Sequence, residues 1–240
     1  MHPSVVEIEL GRLAWMLLPV AGVVWLLMRQ GMEGKGLLYA LGRMLLQLLL
    51  IGYVLIAIFH ARSPWVVLGV LGVMLGFSSW IALRTVPERR LRLLGLALGA
   101  IALGGGSVLV LVTQGVLGLD PWYRPDYMIP LAGMVFANAM NSVALAAERY
   151  HAELNRELDS SAASAEAVRA AMIPVVNALL AVGLVSLPGM MTGQILSGVS
   201  PLVAARYQIL VMVMIFTASG LSVSIFLYGI RKRAIRDNGI

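Results

Sequence analysis

"LLYALGRMLLQLLLIGYVLIAIF", residues 37–59, decides the fold class. A bilayer core takes about 20 apolar residues of helix, and this run exceeds that with a single charge, Arg43. Similar runs occur at 13–28, 64–83, 93–117, 127–147, 173–187 and 206–230, the first and sixth being short. They are long and unbroken, without the short alternation of barrel strands. Lipid offers the backbone no hydrogen-bond partner, so helices are the spanning solution. The expected architecture is all-α, a polytopic integral membrane protein of about seven helices forming one domain over 1–240.

Composition agrees. The chain is 60% hydrophobic and 12% charged, against about 25% charged in soluble domains. Cysteine is absent, which removes disulfides, thiol nucleophiles and thiolate zinc sites. The net charge of +6 does not gather on one soluble face, so no nucleic-acid partner is expected. The basic residues sit between the apolar runs. On one side fall Arg29, Lys35, Arg84, Arg89, Arg90, Arg92, Arg149, Arg156, Arg169, Arg231, Lys232, Arg233 and Arg236. The other side has Arg12, Arg62, Arg124 and Arg206. The positive-inside bias predicts seven spans with the N-terminus out and the C-terminus in. The first run follows Glu7 and Glu9 without a cleavage site, and reads as a retained span.

The segment "ERYHAELNRELDSSAASAEAVRAAM", 148–172, then lies in the cytoplasm. Its first part reads as a helix leaving the membrane and "DSSAAS" as a break or helix start, with Ser160, Ser161 or Ser164 as caps. The segment is either a solvated linker or a docking element for a soluble partner.

Polar residues inside spans are functional candidates. Arg43 and Gln47 share a helix face, with Tyr39 one turn earlier. No carboxylate lies within a span, so Arg43 must pair with helix-end carbonyls, amides, a boundary carboxylate such as Glu148 or an anionic ligand, or else snorkel to headgroups. In the fifth span Pro130, Met134, Asn138, Asn141 and Glu148 fall on one stripe. They line a path or glue helices together. Asn177 is placed opposite them. The glycine-rich "LGGGS" at 103–107 reads as close helix packing. His2, His60 and His151 sit outside the spans without metal-ligand spacing. The methionines are mostly filler, the pairs Met190–Met191 and Met212–Met214 drawing notice without making a metal site by themselves.

"LVSLPGMMTGQILSGVSP", 184–201, interrupts the apolar pattern. Pro188-Gly189 stops the sixth span, Ser200-Pro201 starts the seventh, and "MMTGQILSG" makes a short half-helix. It is either a re-entrant outer gate offering Thr192 and Gln194, or an outer loop packed on a neighbouring subunit. No nucleotide-binding G-x-x-x-x-G-K-[ST] occurs, so an ATP-driven process needs a separate engine.

Three stretches carry a resemblance: "GRMLLQLLLIGYVLIAIF" at 42–59, "IPLAGMVFANAMNSVALAAER" at 129–149, and "VGLVSLPGMMTGQILSGVSPLVAARYQILVMVMI" at 182–215. They resemble the FetB-like permease family, small membrane subunits of ABC transporters. The resemblance implies a bacterial inner-membrane permease without catalytic residues or cofactor of its own. It implies two copies, each with a separate ATP-binding subunit that holds the ATP-Mg, and export of iron or another metal-stress solute. It also places the coupling element in 148–172, which contains Glu148, Arg149, Arg156, Glu157 and Arg169. That segment is shorter than the family pattern and lacks its turn glycine. The substrate pathway or gate is expected at Arg43, Gln47, Met134, Asn138, Asn141, Asn177, Met190, Met191, Thr192 and Gln194. A secondary transporter or channel is the alternative; it would ordinarily carry intramembrane acids or inverted repeats.

Overall fold

A computed structural model describes residues 9–60 and 63–237. Among them, seven helices are long and apolar enough to cross a membrane. The chain forms two units, residues 1–62 and 63–240, divided after Arg62.

The first unit is a helical hairpin. Leu10–Leu13 (α1) passes through a 3-10 turn, Ala14–Met16, into α2, Leu17–Arg29; Gly34–His60 forms α3. Both spans expose large apolar side chains, Trp15, Leu18 and Leu49 among them. That pattern suits a lipid solvent.

The second unit holds α4 (Pro64–Ala82), α5 (Arg90–Val110), α6 (Pro125–Leu154), α7 (Ser160–Ala181), α8 (Gly189–Leu196) and α9 (Pro201–Asp237). Helix α5 continues through a π-helical stretch, Leu111–Val116. The core comes mainly from α5, α6 and α9 and is rich in small side chains such as Ala97, Ala100, Ala132, Ala139 and Ala218. Small residues let backbones approach where lipid removes the hydrophobic drive between helices. Gly104 lies closest to the backbone of another helix. A Cβ there would meet the Ser222 backbone nitrogen of α9 at 2.6 Å, and one on Gly105 would meet Val135 Cγ1 of α6 at 2.8 Å. "LGGGS" is thus regular helix between two neighbours. The buried hydroxyls of Ser79 and Thr113 bond back along their own helices, to Leu75 O and Leu109 O at 2.8 Å each.

The sixth span differs from its expected position, 173–187. Helix α7 starts at Ser160 and ends at Ala181. Its cap is Asp159, whose carboxylate accepts from the Ser161 and Ala162 N–H groups, not Ser160, Ser161 or Ser164. A carboxylate accepts at the positive helix end, where a hydroxyl brings no charge. The alanine-rich stretch that follows is strongly helix-forming. At the far end Gly183 takes φ 82°, and Val185 N–H returns to Ala181 O at 2.8 Å. The chain therefore turns before Pro188-Gly189.

The segment 148–172 is accordingly two helix ends joined by a five-residue turn. At the end of α6, Leu158 N–H bonds to Glu153 O and Glu157 N–H to Leu154 O, the paired bonds of a Schellman motif. Its left-handed residue is Glu157, φ 64°. The same motif ends α8 with Gly198 at φ 89°, and α9 then begins at Pro201, as expected.

Helix α6 has 30 residues and α9 has 37, or about 45 and 55 Å at 1.5 Å per residue. Both overhang a hydrocarbon core of about 30 Å. Several contacts gather their basic ends. Arg233 donates to Arg92 O at 2.9 Å, joining the end of α9 to the start of α5. Thr85 in the α4–α5 connection reaches Ala144 O of α6 at 3.4 Å. Three of the basic gaps thus share one end of this unit, and the 182–200 stretch lies at the other.

Three stability outcomes follow. Gly104→Ala is expected to cost about 1–3 kcal/mol, since the backbone of α9 must move. Gly106→Ala, whose Cβ would meet nothing within 4 Å, should change stability by less than about 0.5 kcal/mol. Glu157→Gly should raise stability by up to about 1 kcal/mol, because the left-handed penalty exceeds the entropy that glycine adds to the unfolded chain. Thermal unfolding in detergent measures all three.

Candidate functional site

Within the second unit, α6, α7 and α9 line an open cavity of about 460 Å³. Asn138, Asn141, Ser142, Ala144 and Leu145 line it from α6, Ala171, Pro174, Val175 and Ala178 from α7, and Met212 and Ile215 from α9. The spacing 138, 141, 142, 145 is one helical face. Pro174 sits inside α7, where it leaves the preceding turn one hydrogen bond short.

No lining residue is ionisable. The polar groups are amides, a hydroxyl and a thioether. Asn138 Nδ2 donates to Met134 O at 2.8 Å, which orients that amide and leaves its oxygen as acceptor. Such a wall offers soft and neutral contacts without a counter-charge. It suits a solute whose charge is spread or already chelated better than a bare multivalent ion.

Asn138 and Asn141 meet in this cavity as their stripe predicts. Met134 shares the face through its carbonyl but is absent from the lining, and Glu148 lies farther along α6. Asn177 is exposed and takes no part in the lining, so it does not sit opposite the asparagines across this cavity. Arg43 and Gln47 belong to the first unit. Arg43 is half-buried on α3 and makes no ion pair among the described residues; Gln47 is exposed.

Met190, Met191, Thr192 and Gln194 lie on α8, a half-helix packed on α9. Met190 touches the core, and Thr192 Oγ1 donates to Pro188 O at 3.2 Å. Gln194 Oε1 is buried without a partner. So is Oε1 of Gln208 on α9, a residue 5% exposed. Sequence reasoning missed Gln208, although a lone amide in "ARYQILVMVM" was the available signal. It also missed Ser142 and Pro174, which become site residues only through the packing of three helices. Met212, noticed in the sequence as half of a methionine pair, takes its place in the lining by the same packing.

The expected coupling residues have distinct tasks at the basic end. Arg149 and Arg156 both hold Glu153, at 2.6 and 3.3 Å. Glu153 is buried, and this triad secures the last turn of α6. Tyr150 Oη meets Ser160 Oγ at 2.9 Å across the turn. Glu157 serves the turn conformation, and Arg169 pairs with Glu166 at 3.1 Å on the surface. Glu148 is exposed on α6 and makes no ion pair among the described residues.

Over residues 10–235 the sequence matches the uncharacterised protein family UPF0014. The chain belongs to that family. It is 38% identical over 242 residues to the UPF0014 membrane protein slr1647 of Synechocystis, covering 92% of each chain. It is 33% identical to the probable iron export permease protein FetB of Escherichia coli, over 81% of this chain and 79% of that one. The protein ALUMINUM SENSITIVE 3 of Arabidopsis thaliana is 31% identical over 80% of this chain and 74% of its own. No solved structure matches. The resemblance seen in the three sequence stretches thus holds across nearly the whole chain.

The chain has no cysteine, so single introduced thiols report their own surroundings. Asn138→Cys and Asn141→Cys should react with a small water-soluble thiosulfonate at least about ten times faster than Asn177→Cys, because only a hydrated thiol ionises readily. Equal rates at all three positions would show that the cavity is dry or that Asn177 faces water.

Proposed function

We propose that this chain is the membrane-spanning permease subunit of an ABC-type transporter, working as a homodimer with a separate ATP-binding subunit. In this reading it exports iron or another metal-stress solute across the bacterial inner membrane. The basic end faces the cytoplasm, with the N-terminus outside and the C-terminus inside. Three things support it: the family relationship, one relative being named a probable iron export permease, the absence of a nucleotide-binding loop in the sequence, and the uncharged cavity.

The observation that carries the reading is the α6–α7 hairpin. The same two helices that line the cavity run into the five-residue turn at the basic end. A force applied at that turn reaches the cavity along continuous helices. Pro130 and Pro174 interrupt the backbone ladder within them, so each helix has a place to bend. ATP bound by the partner subunit would close the ATPase pair; this chain's part is to transmit the displacement and to present Asn138, Asn141 and Met212 to the solute.

Co-expression and purification with a candidate ATP-binding subunit from the same genome, followed by ATP hydrolysis and iron efflux in liposomes, tests the reading. The citrate complex of iron should stimulate hydrolysis more than ferrous iron alone. The double variant Asn138→Leu/Asn141→Leu should lower that stimulation at least about tenfold while the complex stays assembled. Solute moving uphill through vesicles that contain only this chain would replace the proposal with a secondary transporter.

A further inference from the structure

Polar side chains on the outer faces of the second unit's spans meet their demand in one of two ways. Some bond back along their own helix: on α9, Thr217 Oγ1 donates to Val213 O and Ser224 Oγ to Gly220 O, both at 2.8 Å. Asn141 of α6 instead opens into the cavity between α6, α7 and α9. Asn177 of α7 does neither. It is exposed, its amide makes no hydrogen bond among the described residues, and it lies outside that cavity.

Depth makes this costly. Asn177 stands as many residues from Glu157, in the turn, as Ala137 does on α6, and Ala137 is the middle of the apolar run 127–147. The cavity lining gives the same level, since Asn138 of α6 shares it with Val175 and Ala178 of α7. A carboxamide at the centre of the hydrocarbon finds no partner among lipid tails. Its neighbours on the helix surface are apolar. Ile173, Val176 and Leu180 are all exposed, and with Asn177 they take the spacing i, i+3, i+4, i+7 of one stripe. Ala171, Pro174, Val175 and Ala178 face the cavity, so the stripe is the opposite side of α7. An apolar stripe holding a single amide is the pattern of a helix seam whose register a polar residue fixes. Helix α4 is the contrast: its exposed Trp65, Val73 and Phe77 carry no amide and suit lipid as they stand.

We propose that this stripe of α7 is the seam between two copies of the chain, with the Asn177 amide bonded to its counterpart in the second copy. The seam rests on the homodimer of the permease reading and assigns the face that forms it. A carboxamide carries two donors and an acceptor oxygen, so it complements itself. Two copies in the same membrane orientation relate by a two-fold axis along the membrane normal, and a residue at that axis meets its own counterpart. An unrelated helix would have to bring a matching polar group to the same depth; a second copy does so by symmetry.

The chain has no cysteine, so in purified material a single introduced thiol can crosslink only to its counterpart. In proteoliposomes of the full chain treated with copper phenanthroline, Ile173→Cys, Asn177→Cys and Leu180→Cys should form disulfide-linked dimers at least about ten times faster than Val73→Cys on α4. In the Leu180→Cys chain, adding Asn177→Leu should slow dimer formation about tenfold, and Asn177→Gln should restore most of it. Because Asn177 is exposed, Asn177→Leu should leave the thermal unfolding of the detergent-solubilised monomer unchanged, which separates a lost seam from a lost fold. Rates at 173, 177 and 180 no faster than at 73, or Leu180→Cys crosslinking that Asn177→Leu leaves unchanged, overturn the seam. ATP-driven transport by a chain without these crosslinks keeps the permease reading and joins its copies elsewhere. Fast crosslinks in a chain that no ATP-binding subunit drives keep the seam and remove the permease.

Discussion

The approach of α5 to α9 at Gly104 and Ser222 is the contact on which the second unit depends. In lipid, leucine gains little by leaving the bilayer for the protein interior, so helices associate through close van der Waals contact. Alanine at Ala97, Ala100 and Ala218, and glycine at 104, bring the two backbones within reach. Helix α6 then packs on the same helix through Gly105 and Val135. The hydroxyls of Ser79 and Thr113 satisfy themselves on their own helices, whereas those of Ser219 and Ser222 on α9 are buried without a hydrogen-bond partner.

On this frame the α6–α7 hairpin joins two chemically different places. At mid-span it lines a cavity of amides, a hydroxyl and a thioether. At its turn it presents arginines, most of which are bound to carboxylates or backbone carbonyls. Glu153 gives the turn its stiffness by drawing Arg149 and Arg156 onto the last turn of α6. A docking face has to hold its shape under load, and a buried carboxylate shared by two arginines resists fraying more than an exposed pair does.

The far end of the unit is built for another purpose. The turn at 182–186 exposes Leu184 and Val185, and α8 lies on α9 with two buried amide oxygens, on Gln194 and Gln208, awaiting donors. Short helices broken by proline and glycine keep free carbonyls where regular helix would consume them. This geometry agrees with both readings of the "MMTGQILSG" stretch, as a gate and as a packed outer element.

Much of this was legible in the residues. Hydropathy and length gave the number of spans and placed all but the sixth, because lipid imposes one periodic solution on the backbone. The gathering of arginines at one end of the unit followed from the gaps, and the face shared by Asn138 and Asn141 from 3.6-residue spacing. The start of α7 was missed because Asp159 outcompetes the serines beside it for the cap, a choice set by backbone angles. Ser142 and Pro174 became site residues only when three helices met, since adjacency across a bundle leaves no trace in spacing along one helix. The sequence alone determined that this is a seven-helix membrane chain with a basic side. Tertiary structure decided which polar groups share a cavity and which carboxylates stay unpaired, because those depend on distances between residues far apart in the chain.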